Sequence, residues 1–595
     1  MNDPKPFPMD AERLASGWLG LFSHDDTGTE RSNLDRMLNA RIGRMSAYIS
    51  PASLWLAYVD WIIHLQLSPS KQEELLVDAW RKFARWNEYR LCLVNGRAPE
   101  GSECVVPLPQ DKRFAEDEWR EWPYNLISQG FLLAQQWWHR ASTGVTGVTR
   151  HHEDVVTFMA RQVLDMLSPS NFVLTNPVVQ RETLRNGGAN FARGARNALD
   201  DWKRSILGGV PKGQDGFTLG ENLAATPGKV VFRNRLIELI QYSPATPTVH
   251  ATPLLIVPAW IMKYYILDLS PHNSLARYLV EHGYTVFMIS WKNPDASDRD
   301  ISMEDYRRLG VMAAIDQALA ITGERQLNAV GYCIGGTLLA IAAAAMARDG
   351  DERLASMTMF ASQVDFEEPG ELSLFIDESQ IALLDAVMWE QGYLDTRQMA
   401  GAFHLLRSYD LIWSRRLRHY LLGLPERQSD LMAWNADATR MPYRMHTEYL
   451  RQLFLENGLA EGRYKVDGQP IALTDIRIPI FSVATLADHV APWRSVYKIQ
   501  LLTDTEVTFL LTAGGHNAGV VSPPGHPRRS YQVATRNHHD PYMDDAEWHA
   551  ITPHHEGSWW PTWERWLAAR SGREVKPPRM GKALCEAPGT YVMQP

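Results

Sequence analysis

From about residue 220 onward, the sequence predicts an α/β fold built on a doubly wound, mainly parallel sheet. Three observations carry this. Short apolar runs alternate with helical patterns at the spacing of βα units. The run 252–258, TPLLIVP, is continuously apolar, as strands buried on both faces are. A glycine-rich turn, Gly331-Tyr332-Cys333-Ile334-Gly335-Gly336, joins one such run to an alanine-rich helical stretch.

The elements follow in chain order. Residues 1–30 are polar and rich in Asp, Pro and Gly, and a loose segment is expected there. Residues 34–45, 52–67 and 71–86 repeat apolar positions at intervals of three and four, the helix period, and Ser68-Pro69-Ser70 separates the last two. A loop is expected at 95–114, with helices again at 119–140 and 152–167. Residues 1–215 thus read as a mostly helical N-terminal domain. The aromatic stretch 53–67, SLWLAYVDWIIHLQL, is expected to pack in the core or against another subunit, as amphipathic helices usually do.

Residues 216–595 read as a second, catalytic domain. The stretch 229–242 alternates like the edge strands of a hairpin, and 252–258 is a buried strand. A helix at 274–283 ends in Gly283, which suits a left-handed cap. Then come a strand at 284–291, a helix at 305–323, a strand at 326–333, a helix at 335–348 and a strand at 354–363. The alternation stops between 365 and 474, where the pattern is helical, rich in aromatics and without a clear strand. It resumes in strands at 478–488 and 506–515. A helical block that leaves a parallel sheet and returns is expected to cap the C-terminal ends of the strands, where open α/β sheets bind ligands.

Bulk properties narrow the classes. With 45% hydrophobic and 22% charged residues, most of the 595-residue chain should fold. A formal charge of −9 argues against general nucleic-acid binding, which needs a basic face. The four cysteines, Cys92, Cys104, Cys333 and Cys585, form no Cys-x-x-Cys pair and no disulfide framework, which suits a reducing cytoplasm. No secretory signal is read at the N-terminus, and no run of 18 apolar residues predicts a membrane span. The 21 Trp residues suit packing in a large core, or an apolar surface that meets a greasy partner.

The chemistry centres on Cys333. A strand-to-helix turn of the form Gly-x-Cys-x-Gly matches a nucleophile elbow with Cys in place of Ser, the hallmark of the α/β-hydrolase fold. The helix N-terminus behind it favours a thiolate, and the N–H of Ile334 would supply half of an oxyanion hole. In that fold the partners follow in the order nucleophile, acid, histidine. Asp488 and His516 each close a predicted strand, in that order; His489 ranks below His516 as the base. The second oxyanion donor is expected from 259–261, with Trp260 as the candidate. The His pairs 151–152, 538–539 and 554–555 lack a carboxylate or Cys ligand pattern, so no metal site is expected. Substrate contacts are not readable.

Several longer strings resemble the polyhydroxyalkanoate synthases of class I. They are the Gly-x-Cys-x-Gly-Gly box at 331–336, SPSNFVLTNP (168–177), LAATPGKVVFRNRLIELIQYSP (223–244) and YYILDLSPHNSL (264–275). VFMISWKNP (286–294), AWNADATRMP (433–442), ADHVAPW (487–493) and EGSWWPTW (556–563) belong with them. The resemblance runs from about residue 110 to the end. It implies an α/β-hydrolase fold with a helical cap, and an acyltransferase that polymerises (R)-3-hydroxyacyl-CoA into polyester and releases CoA. Cys333 would carry the acyl group as a thioester and His516 would act as base. Asp488 would orient His516 or activate the incoming 3-hydroxyl. Trp434 matches a family tryptophan near the cap and a dimer contact.

The resemblance further implies no separate cofactor, a homodimer, and a cytoplasmic location at the surface of a polyester granule. There are two departures. The family commonly reads Ile-Asn-Lys where this chain reads Ile261-Met262-Lys263, and Ile where Asn517 follows His516. The first removes a hydrogen-bonding side chain beside the expected oxyanion loop. Two rival readings stand beside this one: a cysteine-dependent thioesterase or polyester hydrolase of the same fold, and a non-catalytic granule-coat protein.

Overall fold

Val, Ile, Leu and Met dominate the central apolar runs because those strands are covered on both faces. In the computed structural model, which describes residues 33–95, 103–108, 111–207, 216–396, 398, 412–425 and 429–595, these runs form one large sheet. The loose segment expected at 1–30 and parts of the cap lie outside the described residues.

The sheet strands in chain order are β1 (Gly228–Arg233), β2 (Ile237–Tyr242), β3 (Leu254–Val257), β4 (Val286–Trp291), β5 (Leu327–Tyr332) and β6 (Leu354–Phe360). They continue with β7 (Ile480–Thr485), β8 (Val507–Thr512), β9 (Ser530–Arg536), β10 (His554–Glu556) and β11 (Cys585–Glu586). Their spatial order is β10-β9-β8-β7-β6-β5-β3-β4-β2-β1-β11. Strands β4, β3, β5, β6, β7 and β8 are mutually parallel. The hairpin β1–β2 joins antiparallel on the β4 side, and β9 antiparallel on the β8 side. The exchange of β3 and β4 within β1–β8 is the order of the expected α/β-hydrolase fold. It also creates a topological switch point between β3 and β5, where the chain reverses its direction of travel and a crevice opens.

Every residue of β2, β4, β5, β7 and β8 is buried. That explains why β4, β7 and β8 read as apolar runs; β2 read as an alternating edge strand because Glu238 and Gln241 interrupt it, yet it lies inside the sheet and is buried throughout. Three corrections follow. The strands are shorter than read: β7 stops at Thr485 and β8 at Thr512, so Asp488 and His516 sit on the loops beyond them. Strands β9–β11 were not foreseen: β10 and β11 are two- or three-residue edge strands, and β9 is only partly buried, so the apolar signal is weak. The cap also holds two small antiparallel pairs, Tyr393–Leu394 with Met441–Pro442 and Lys465–Val466 with Gln469–Pro470. Two residues per strand are too few for a period to show.

The helix Pro51–Gln66 buries Ser53, Ala57 and Trp61 and packs on the helix Arg150–Met166. Trp55, Leu56, Tyr58 and Ile63 stay exposed, so the core accounts for its small face and not for its aromatic one.

N-terminal helices seat the cap. Asn33–Met45 packs on the cap helix Glu378–Gln391, with Gly43 so close that a Cβ there would lie 2.8 Å from Val387 Cγ2. Ser50 N–H donates to Gln380 Oε1 at 2.7 Å, and Gln380 Nε2 donates to Tyr48 O at 2.8 Å. His151 and His152 join neighbouring helices through Asp377 at 3.6 Å and Asp60 at 2.6 Å. The helix Ala189–Leu207 packs on the cap turn Arg416–Leu421, where Asn190 Nδ2 donates to Leu421 O at 2.8 Å and Asn197 Nδ2 to His419 O at 2.9 Å.

Gly194 faces that turn, and a Cβ at this position would sit 1.8 Å from Tyr420 O. Helix propensity alone would make Gly194→Ala stabilising by about 1 kcal/mol. The close backbone contact reverses the sign. Gly194→Ala should cost about 1–3 kcal/mol in urea unfolding; a gain in stability would show that this seat does not bear on the fold.

Candidate active site

The site is built where β5 turns into the helix Ile334–Arg348. Cys333 stands at the turn with φ 53° and ψ −130°, a left-handed backbone that costs a non-glycine residue about 1–3 kcal/mol. Its surroundings hold it there. Cys333 N–H donates to Phe360 O at 2.9 Å, and Cys333 O accepts from Gly336 N–H at 2.9 Å and from Ser362 Oγ at 2.7 Å. All three glycines are required by contact. A Cβ on Gly331 would lie 2.3 Å from Gly336 Cα, one on Gly335 2.4 Å from Val257 O, and one on Gly336 2.1 Å from Ser362 Oγ. Ser362 is part of the elbow that sequence reasoning missed; no spacing rule ties it to the Gly-x-Cys-x-Gly motif.

His516 and Asp488 come from the loops after β8 and β7, which are neighbours in the sheet, so the two side chains meet. His516 Nδ1 lies 2.8 Å from Asp488 Oδ2. The Asp488 side chain is shut off from solvent, and it also accepts from Thr485 Oγ1, Val490 N–H and Ala491 N–H, each at 2.9 Å. Burial pushes its carboxyl up, but the charge and hydrogen bond of His516 and the two backbone N–H groups outweigh this and hold it below the ordinary value. An ionised carboxylate only accepts, so Nδ1 carries a proton and Nε2 is the nitrogen not engaged by Asp488, on an imidazole that the charge of Cys333 reaches. Burial pulls His516 down; the charges of Asp488 and Cys333 and their hydrogen bonds overcome it and hold it well above the usual histidine value. The three residues predicted separately are therefore brought together.

Ile334 is the first residue of the elbow helix, so no earlier turn accepts its N–H, and the helix dipole adds positive potential there. The loop after β3, which carries Trp260, abuts this helix at Gly335 through Val257 and Pro258. Trp260 packs its ring against Trp291 and Tyr306 at centroid distances of 5.8 and 4.8 Å.

Thr439, which the sequence reading did not assign, and Trp434, expected near the cap, tie this loop down. Thr439 of the cap donates to Trp260 O, and Trp434 Nε1 donates to Lys263 O at 2.8 Å. Lys263 is itself buried, with Nζ donating to Val592 O at 2.8 Å and to Gln594 O. Met262 pairs backbone to backbone with Ala438, so the loop is held without the side chain that the family commonly has there. The cap also sends Tyr449 toward the nucleophile: burial and then the charge of Cys333 push its hydroxyl up. His489 offers its carbonyl to Glu371 N–H at 3.2 Å.

The upward shift of His516 yields a direct measurement. Among the 19 histidines, its Cε1 resonance is the one lost in His516→Gln. That signal should titrate well above the usual range in the wild type. Asp488→Asn removes the negative charge that stabilises the imidazolium, so the midpoint should fall. An unchanged midpoint would mean that the carboxylate does not carry the shift.

The comparisons with known proteins agree with one another. Family models described as poly-beta-hydroxybutyrate polymerase (PhaC) N-terminus and poly-beta-hydroxybutyrate polymerase N terminal match residues 110–279 and 29–71. A model of the alpha/beta hydrolase fold matches residues 252–523. The chain is 44% identical over 497 residues to the poly(3-hydroxyalkanoate) polymerase of Methylorubrum extorquens, covering 82% of this chain and 81% of that one. It is 41% identical over 488 residues to the poly(3-hydroxyalkanoate) polymerase subunit PhaC of Rhizobium meliloti, with 81% and 79% covered. To the corresponding subunit of Cupriavidus necator it is 36% identical over 547 residues, with 90% of each chain covered. At this identity and coverage, on the strand order and around the elbow described above, the chain belongs to the poly(3-hydroxyalkanoate) polymerase family.

Proposed function

We propose that this protein is an acyltransferase that polymerises (R)-3-hydroxyacyl-CoA into polyhydroxyalkanoate polyester and releases CoA, with Cys333, His516 and Asp488 as its catalytic triad. The observation that carries the reading is a cysteine on the elbow whose charge acts on a histidine that a buried aspartate orients, in a chain of the polymerase family.

In this scheme the Cys333 thiol gives its proton to His516 and the thiolate attacks the thioester carbonyl. Ile334 and Trp260 N–H groups steady the oxyanion. The CoA sulfur leaves and takes a proton from His516. One thioester replaces another, so the acyl group stays activated. The 3-hydroxyl of a second unit or of a chain end then attacks the Cys333 thioester carbonyl, its proton passing to His516; the C–S bond breaks, Cys333 leaves as the thiolate, and an oxoester forms. Asp488 orients the base. Its lone pairs are engaged by four donors and its side chain has no solvent face, which supports orientation over direct contact with an incoming 3-hydroxyl.

Water arriving in place of the hydroxyl would make the enzyme a thioesterase, so the cap, with Tyr449 beside the nucleophile, excludes it. No separate cofactor enters, because the thioester supplies the driving force. The enzyme acts in the cytoplasm at the granule surface as a homodimer. The exposed rings of Trp55, Trp80 and Phe83 supply the apolar faces such contacts need.

Incubation with 3-hydroxybutyryl-CoA, with CoA and polymer measured together, tests the reading. CoA release should accompany insoluble polyester, and Cys333→Ala should lower it by at least about 1,000-fold. Free 3-hydroxybutyrate equal to the CoA released would make the protein a hydrolase. An absence of CoA release in the wild type would favour a coat protein.

A further inference from the structure

His516 lies on a turn beyond the end of β8, so regular structure does not hold its ring. The bond from Asp488 anchors one nitrogen. A single hydrogen bond fixes a point and leaves the plane of the imidazole free to swing about it. Something else must set the face of the ring toward Cys333.

The candidate is Tyr332, the last residue of β5 and the neighbour of Cys333 in the chain. Its ring lies 5.7 Å from the His516 ring, tilted by 36°. It is 2% exposed, and its hydroxyl donates to Asn517 Oδ1 at 2.6 Å. Asn517 directly follows His516. The bond therefore joins the residue before the nucleophile to the residue after the base, and spans the gap the proton has to cross. Burial, then the charges of Cys333 and Asp488, push the Tyr332 hydroxyl well above its usual value, so it remains a donor. The turn supports the same geometry: Gly519 N–H donates to Gly515 O at 2.7 Å and Val521 N–H to Asn517 O at 3.0 Å, which fixes the backbone that presents the Asn517 side chain.

We propose that Tyr332 and Asn517 are a pair of positioning residues whose hydrogen bond holds the His516 imidazole in register with Cys333. This rests on the base role given to His516 above. The pair touches neither acyl group nor CoA in this scheme; it acts through His516.

The experiment is a double-mutant cycle with Tyr332→Phe and Asn517→Leu, which keep shape and remove the polar partners. Urea stability, kcat and KM for 3-hydroxybutyryl-CoA, and the rate of Cys333 alkylation by iodoacetamide are read for each variant. Each single change leaves one polar group unpaired and lowers stability; the double change removes both and recovers it. The rate behaves differently, because the tie is absent in all three. We expect kcat and the alkylation rate to fall by about 10- to 100-fold in both single variants and to stay low in the double, with KM within about 2-fold of wild type.

Wild-type rates in the single variants, or a double variant that regains activity along with stability, would overturn the proposal. If the wild type releases no CoA at all, the polymerase reading fails. The alkylation rates then still decide the pair: a fall that persists in the double supports it, and unchanged rates reject it.

Discussion

The separation between the end of β5 and the start of the helix Ile334–Arg348 is the constraint on which the site depends. At the elbow the two backbones approach so closely that Gly331 has no room for a Cβ, and the same crowding against Val257 O and Ser362 leaves none at Gly335 and Gly336. That approach forces Cys333 into a left-handed conformation, which points a side chain out of a strand end that would otherwise be flat. The strain is met by bonds from both sides of the turn: Phe360 O takes the Cys333 N–H, and Ser362 and Gly336 donate to its carbonyl. Widening the gap by one methyl group would relax the turn, and the thiol would no longer face the loop that carries His516.

The loop after β3 and the cap are mechanically one piece. Trp434 and Thr439 of the cap grip the carbonyls of Lys263 and Trp260, and Met262 bridges to Ala438. Lys263, buried beneath them, grips the C-terminal segment. On its other sides the cap is seated on N-terminal helices, through Gln380 against Ser50 and Tyr48 and through the Leu421 carbonyl against Asn190. A displacement of the cap is therefore felt at the loop beside Cys333, and the N-terminal helices help to set where the cap rests.

Much of this was legible in the residues. Buried parallel strands announce themselves because both faces must be apolar, so β3 to β8 could be read in order. The elbow was legible because its three glycines stand within six residues of one another in the sequence, although two of them are confined by the distant Val257 and Ser362. Asp488 and His516 were found by chain order along predicted strands, although the strands end three or four residues earlier. What could not be read involves partners distant in sequence. Ser362, Lys263 and Tyr449 carry no motif. Asn517 read only as a departure from the family's pattern; its partner, Tyr332, had been quoted within the elbow box without a role. The antiparallel strands β9 to β11 and the small cap pairs were missed because solvated or two-residue strands leave little periodicity.

The sequence by itself determined the class of fold and the place of Cys333 on a glycine-bounded elbow, because these follow from local sterics and from an apolar period that each segment carries alone. Only the tertiary structure decided that Nδ1 of His516 is the nitrogen turned to Asp488, and that the cap holds the loop after β3. Each of those is a distance between residues tens to hundreds of positions apart. Such distances are set by how the sheet twists and the layers pack, and no single segment encodes them.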